Sequence, residues 1–189
     1  GTFYQKIGDS KKTWIPKPSH DHLKQFLSHD LPWQTMQAIW QKDFLSCLKG
    51  FDKDYPRLQD VELHTRALLH KEVKYSISLC SEPDCFYRID NARLTCNQEN
   101  FMFKGLTGAC LYINKTSQIL QTHNDVKRLM RYLRGTYFSF LNQVLYRASV
   151  KMINKKTRDD LIKQLESSCL KSLDLSFTVR LLFSLYILV

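Results

Sequence analysis

A change of hydrophobic period near residue 60 constrains the fold more than any other feature. Before it, apolar side chains recur every three or four residues. Trp33, Met36, Trp40, Phe44 and Cys47 form one such stripe. Asp30 is placed to cap a helix here, Pro32 suits its first turn, and Gly50 suits its end. The spacing predicts a helix from about residue 31 to Lys49. A shorter helical pattern precedes it, from Ser19 through His29, with Leu23, Phe26 and Leu27 on one side.

After residue 60 the period becomes two. Val61, Leu63, Thr65, Ala67 and Leu69 occupy alternate positions, as do Val73, Tyr75, Ile77 and Leu79. Alternation predicts half-buried strands, here joined as a hairpin through His70-Lys71-Glu72. A second hairpin is expected where Phe86–Ile89 and Arg93–Cys96 flank Asp90-Asn91-Ala92. Ala109–Ile113 reads as a further strand after a turn at Gly105-Leu106-Thr107-Gly108. Residues 60–121 therefore read as an antiparallel meander of four to five strands.

Helical spacing returns after Thr122-His123-Asn124-Asp125, which resembles a capping box. Val126, Leu129, Met130, Leu133, Tyr137, Phe140, Leu141 and Val144 continue it, with Gly135 as a place to bend. A second helix start falls at Thr157-Arg158-Asp159-Asp160. From Phe177 to Val189 every odd position is apolar, which favours a final strand over a helix. The fold class expected is α+β: an N-terminal helical pair, an antiparallel sheet, two C-terminal helices on one sheet face and a candidate final strand. Residues 1–18 read as a polar arm or linker. Residues 19–189 read as one domain: helices over 19–50, sheet over 60–121, basic helices over 122–174 and a hydrophobic segment over 175–189.

Charge is distributed unevenly. The 189 residues carry a formal net charge of +10, and residues 124–158 alone carry nine basic residues against one acidic. The nine are Lys127, Arg128, Arg131, Arg134, Arg147, Lys151, Lys155, Lys156 and Arg158. Lys127, Arg131 and Arg134 share one side of a helix, whereas Arg147 and Lys151 point elsewhere. The segment must therefore bend at Gly135 or present two patches. Tyr132, Phe138 and Tyr146 stand among the charges, where aromatic rings can stack on bases. Such a face suits an anionic partner, with nucleic-acid phosphates first. A solvated face, an acidic protein surface or an anionic membrane are the competing readings.

Motifs for chemistry are sparse. Ser19-His20-Asp21-His22 with His29 and Asp30 is the densest titratable cluster, but a helix separates its imidazoles and no third ligand follows at metal spacing. Cys80 and Cys85 lack a second tight pair among Cys47, Cys96, Cys110 and Cys169, so reduced structural thiols are expected. Cys47 and Cys169 fall on apolar helix faces. Gly105 and Gly108 have the Gly-x-x-Gly spacing of one RNA-binding loop, yet their strand-like flanks favour a plain turn. Asn114-Lys115-Thr116 is a formal glycosylation sequon, too common by chance to place the chain outside the cell. His64 and His70 are candidate bases without a nucleophile at recognisable spacing. No nucleophile elbow, phosphate loop, zinc-protease motif or dinucleotide fingerprint occurs.

No catalytic residue, metal site or cofactor is expected. The chain opens Gly1-Thr2 rather than with Met, as a fragment or processed form does, and no apolar run is long enough to span a membrane. The sequence favours a non-enzymatic intracellular binding module, nuclear or cytoplasmic, that is a subunit of a larger assembly. It would contact an anionic partner, nucleic acid or an acidic protein surface, through its basic helices. The alternative is a scaffold subunit docking through its apolar C-terminus and aromatic helix.

Overall fold

A computed structural model describes residues 2–6, 12–14, 21–78, 85–89 and 97–175. The chain is mostly helical, which overturns the α+β expectation. Its frame is three long helices: α4 (Gln98–Leu120), α5 (Val126–Ser149) and α6 (Lys155–Leu173). Short polar caps start two of them. Asn97 accepts from the Asn100 amide at 3.0 Å, and Asn154 accepts from the Thr157 amide at 2.8 Å.

Side-chain bonds fix how these helices run. Glu99 accepts from Thr157, Thr107 accepts from Gln164, and Asn114 accepts from Ser172. Partners along α4 and α6 thus keep an offset of 57 to 58 residues, so the two helices are parallel and in register. α5 runs between them in the opposite sense. Arg134 in its first half reaches the Leu173 and Asp174 carbonyls at the far end of α6. Leu106, Ile113, Leu129, Leu133, Leu141, Leu161 and Leu165 are fully buried among the three.

Two earlier helices cover the bundle. α1 (His22–Leu27) crosses α5 where Thr136 donates to the Leu27 carbonyl at 2.8 Å. A Cβ on Gly135 would stand 2.7 Å from the Ser28 Cβ and 2.9 Å from its Cα. Gly135 therefore admits α1 rather than bending α5, which continues unbroken to Ser149. An exposed helical Gly→Ala change adds up to about 1 kcal/mol of stability, but overpacking here costs about 1–3 kcal/mol. Gly135→Ala should lower the urea unfolding free energy by about 1 kcal/mol; a gain would contradict the close crossing.

α3 (Gln59–Leu69) lies where the first strand was expected. Its Thr65 hydroxyl meets the Tyr112 hydroxyl of α4 at 2.7 Å, and Tyr112 also reaches the Phe26 carbonyl at 3.4 Å. The other expected strands fare similarly. Residues 73–78 are irregular, and Ala109–Ile113 with the Gly105–Gly108 turn lies inside α4. Gly108 is needed for contact: its Cβ would fall 2.5 Å from the Arg57 carbonyl oxygen.

The predicted helix over 31–49 is broken. A 3-10 turn at Thr35–Gln37 and an extended stretch precede α2 (Lys42–Cys47). Met36 and Cys47 are exposed, so the stripe is not one buried face.

Three short strands pair among themselves, with order β2-β1-β3. β1 (Thr2–Lys6) is antiparallel to β2 (Lys12–Trp14), within the segment read as an arm, and parallel to β3 (Cys85–Ile89). Of β3, Cys85 and Tyr87 are partly exposed and Phe86 is exposed. The partner strand expected at Arg93–Cys96 and the final strand beyond Leu175 lie outside the described residues.

Candidate anion-binding surface

Because α5 is one continuous helix, its cations fall into two groups. Arg128 and Arg147 are 19 positions apart, about 28 Å at 1.5 Å per residue. The structure therefore presents two patches rather than one ridge.

The first patch lies at the start of α5. Lys127 and Arg131 are exposed. Arg128 is paired with Asp125 at 2.7 Å. Arg134 is committed to structure, since its guanidinium caps the α6 carbonyls of Leu173 and Asp174 at 3.1 and 3.2 Å. Tyr132 carries the Lys24 ammonium 5.4 Å from its ring centroid. Phe138 packs edge-on against Tyr137.

The second patch surrounds the turn from α5 to α6. Arg147 is half-buried, with its guanidinium 5.7 Å from the Phe101 ring centroid and its Nε without a hydrogen-bond partner. Arg57 reaches the same ring at 4.2 Å. Lys151 holds a left-handed backbone (φ 58°) and is exposed. Lys155 and Lys156 are exposed in the first turn of α6, where the backbone already presents the positive end of the helix dipole. Two cations there repel that dipole and deepen the local positive potential. Arg158 is answered by Asp159 at 2.7 Å. Among the described residues, Lys151, Lys155 and Lys156 have no carboxylate at ion-pair distance. Tyr146, 62% exposed, stands beside them with Val150 and Met152.

All nine cations named from the sequence are exposed or partly exposed, and Arg57, outside the basic segment, stands with them at the second patch. Its signal was weak, one of four cations balanced by four acids over residues 31–60. Arg134 and Arg158 were placed among phosphate ligands, and the fold gives both intramolecular partners.

Four of the described histidines, His22, His29, His64 and His70, pack against aromatic rings. His64 is buried on α3, stacked on Trp40 with ring centroids 5.2 Å apart and edge-on to Trp33 at 5.7 Å. Burial lowers its pKa to about 4, against a weaker upward pull from Asp60. His29 packs on Phe140, and burial likewise lowers its pKa. His22 bonds the Tyr75 hydroxyl at 3.1 Å, and His70 packs edge-on to Phe44. His20 lies outside the described residues. Among the described residues, no three His, Cys, Asp or Glu side chains are grouped to hold a metal, and no helix is long and apolar enough to cross a membrane. A scan against protein-family models finds no match, and neither the curated proteins nor the solved structures contain a match.

Proposed function

We propose that the chain is a non-enzymatic binding module that contacts nucleic-acid phosphates through the α5–α6 end of its bundle. It would act inside the cell, nuclear or cytoplasmic, as one subunit of a larger assembly. The reading rests on one observation: Lys151, Lys155 and Lys156 are exposed, lack described ion pairs, and sit where the α6 dipole adds to their field. Arg147 and Arg57 extend the positive surface over Phe101, and Tyr146 offers an exposed ring for stacking. Lys127 and Arg131 form a secondary contact near the other end of α5, about 24 to 30 Å along the helix from Arg147.

Phosphate contacts release counterions, so affinity should fall steeply with salt. Fluorescence anisotropy with single-stranded RNA and duplex DNA, titrated over a range of salt, measures this. Replacing Lys151 and Lys155 with Ala should reduce the logarithmic salt slope by about 2 and weaken binding about tenfold at 0.1 M salt. Absence of binding at low salt would refute the proposal, as would affinity unchanged when the basic residues become Glu.

A protein-docking role is favoured by different residues. Ile39 is fully exposed and Met36 is half-exposed on the segment before α2. If that segment is the working surface, Ile39→Asp abolishes partner capture or self-association, and the lysine substitutions leave it unchanged.

A further inference from the structure

We propose that Cys110 and Cys169 are a redox modification site, forming a reversible intramolecular disulfide that ties α4 to α6. Both thiols are free and buried in the bundle core. The two thiols lie close enough for each to shift the other's ionisation, and the Ser168 side chain stands beside Cys110. The backbone supports the pairing independently. Glu99 with Thr157, Thr107 with Gln164, and Asn114 with Ser172 bracket the cysteines above and below. An offset of 57 to 58 residues carries Cys110 to positions 167 and 168 on α6, beside Cys169. Two parallel helices in register thus place the two cysteines side by side at mid-length, and the sequence spacing of 59 residues hides the pair.

The arrangement also differentiates the two sulfurs. Hydrogen bonds from Cys169 and Ser168 favour the Cys110 thiolate and hold it below the usual thiol range. The bond to Cys110, together with burial, pushes Cys169 up. Either sulfur can attack first and the balance is the same; with Cys110 attacking, Cys169 is the resolving thiol. With hydrogen peroxide as oxidant, the Cys110 sulfur attacks one peroxide oxygen. The S–O bond forms, the O–O bond breaks, and hydroxide leaves with the former Cys110 proton as water. The Cys169 sulfur then attacks Cys110. The S–S bond forms, the S–O bond breaks, and hydroxide leaves with the Cys169 proton as a second water. Two thiols lose two electrons, and one peroxide gains them.

The closed loop contains all of α5 and both turns, so the crosslink removes much freedom from the unfolded chain. The test treats the reduced full chain with hydrogen peroxide, then unfolds it in an alkylating reagent and maps its peptides without reduction. The expected result is a Cys110–Cys169 linked pair about 2 Da lighter than the two thiol peptides. The thermal midpoint should rise by roughly 10 °C and return on adding dithiothreitol. Cys110→Ala and Cys169→Ala should each abolish both changes. Should either variant fail to fold, the wild-type peptide map decides alone. Exposed Cys47 reports that the oxidant acted. Recovery of Cys110 and Cys169 fully alkylated while Cys47 is oxidised would overturn the proposal. So would finding either one bonded to another cysteine.

Discussion

Arg66→Met should lower the unfolding free energy by about 3 kcal/mol, a fall in melting temperature of roughly 10 °C for a chain of this size. Arg66 sits one helical turn after Glu62 on α3, and its Nε and Nη2 donate to the two carboxylate oxygens at 2.6 and 2.8 Å. Its Nη1 donates to the Leu48 carbonyl and Nη2 also to the Gly50 carbonyl at 2.9 Å. The guanidinium therefore ties α3 to the end of α2, where Lys49 and Gly50 both adopt left-handed backbone. Glu62 is buried, so removing its partner strands a carboxylate in a poor solvent and orphans two carbonyls. The cause can be isolated. Glu62→Met added to Arg66→Met removes the stranded charge and should recover part of the loss. Urea unfolding of the two variants measures both changes. A loss below about 1 kcal/mol for Arg66→Met would show that the charge is solvated instead.

That same ion pair was the clue that α3 is a helix. An acid four residues before a base is a helical arrangement. The strand expectation rested on the alternation of Val61, Leu63, Thr65, Ala67 and Leu69 alone, and the structure shows why that pattern misled. Val61 and Leu69 pack on the main core with Thr65 between them, bonded to Tyr112, while Leu63 and Ala67 pack against Leu48, Trp40 and Phe44 on another side. Two stripes at helical spacing, offset by two residues, fill every odd position. A helix wedged between two clusters thus mimics a strand. α4 misled for a related reason. It is buried against α5, α6 and α3 at once, and its two internal glycines punctuate the pattern without ending the helix. The stripe from Trp33 to Cys47 failed in the opposite direction. Trp33 and Trp40 both gather around His64, across an extended stretch, so tertiary contacts rather than one helix face explain their spacing. α5 and α6 were legible because each has polar residues at its start and a single principal apolar face.

The basic surface was legible as a count and not as a shape. Its concentration in residues 124–158 follows from composition, and the split into two patches follows from a helix that does not bend. The pairings of Arg128 with Asp125 and of Arg158 with Asp159 are local and readable. The partners of Arg134 are not, since Leu173 and Asp174 lie some 40 residues on and meet it only when α5 and α6 pack antiparallel. Arg57 likewise joins Arg147 only through the close approach that Gly108 permits.

Acid should destabilise the fold well before carboxylates titrate, and His64 should be the main reason. Its pKa is lowered from 6.5 to about 4, so the folded state holds the neutral ring. The unfolded chain binds the proton first as pH falls through 6.5. Stability from this group is therefore complete above about pH 6.5 and is lost progressively down to about pH 4. The loss amounts to about 2 kcal/mol at pH 5 and about 3 kcal/mol at pH 4. Phe26, Trp33 and Trp40 surround the ring, and Asp60 supplies a weaker opposing pull. His29, buried against Phe140, adds a loss of the same sign. Asp52 contributes in the same direction only at lower pH, because Lys115 holds its carboxyl below the usual range. His64→Phe separates these contributions. It keeps an aromatic ring against Trp40 while removing both the titration and the buried, unpartnered Nε2. The variant should match or exceed the wild-type protein at pH 7.5 and lose about 2 kcal/mol less between pH 7.5 and pH 5. Urea midpoints at the two pH values measure the difference. Equal slopes in both proteins would mean that His64 is protonated in the folded state, in which case its ring cannot lie in a dry aromatic cluster.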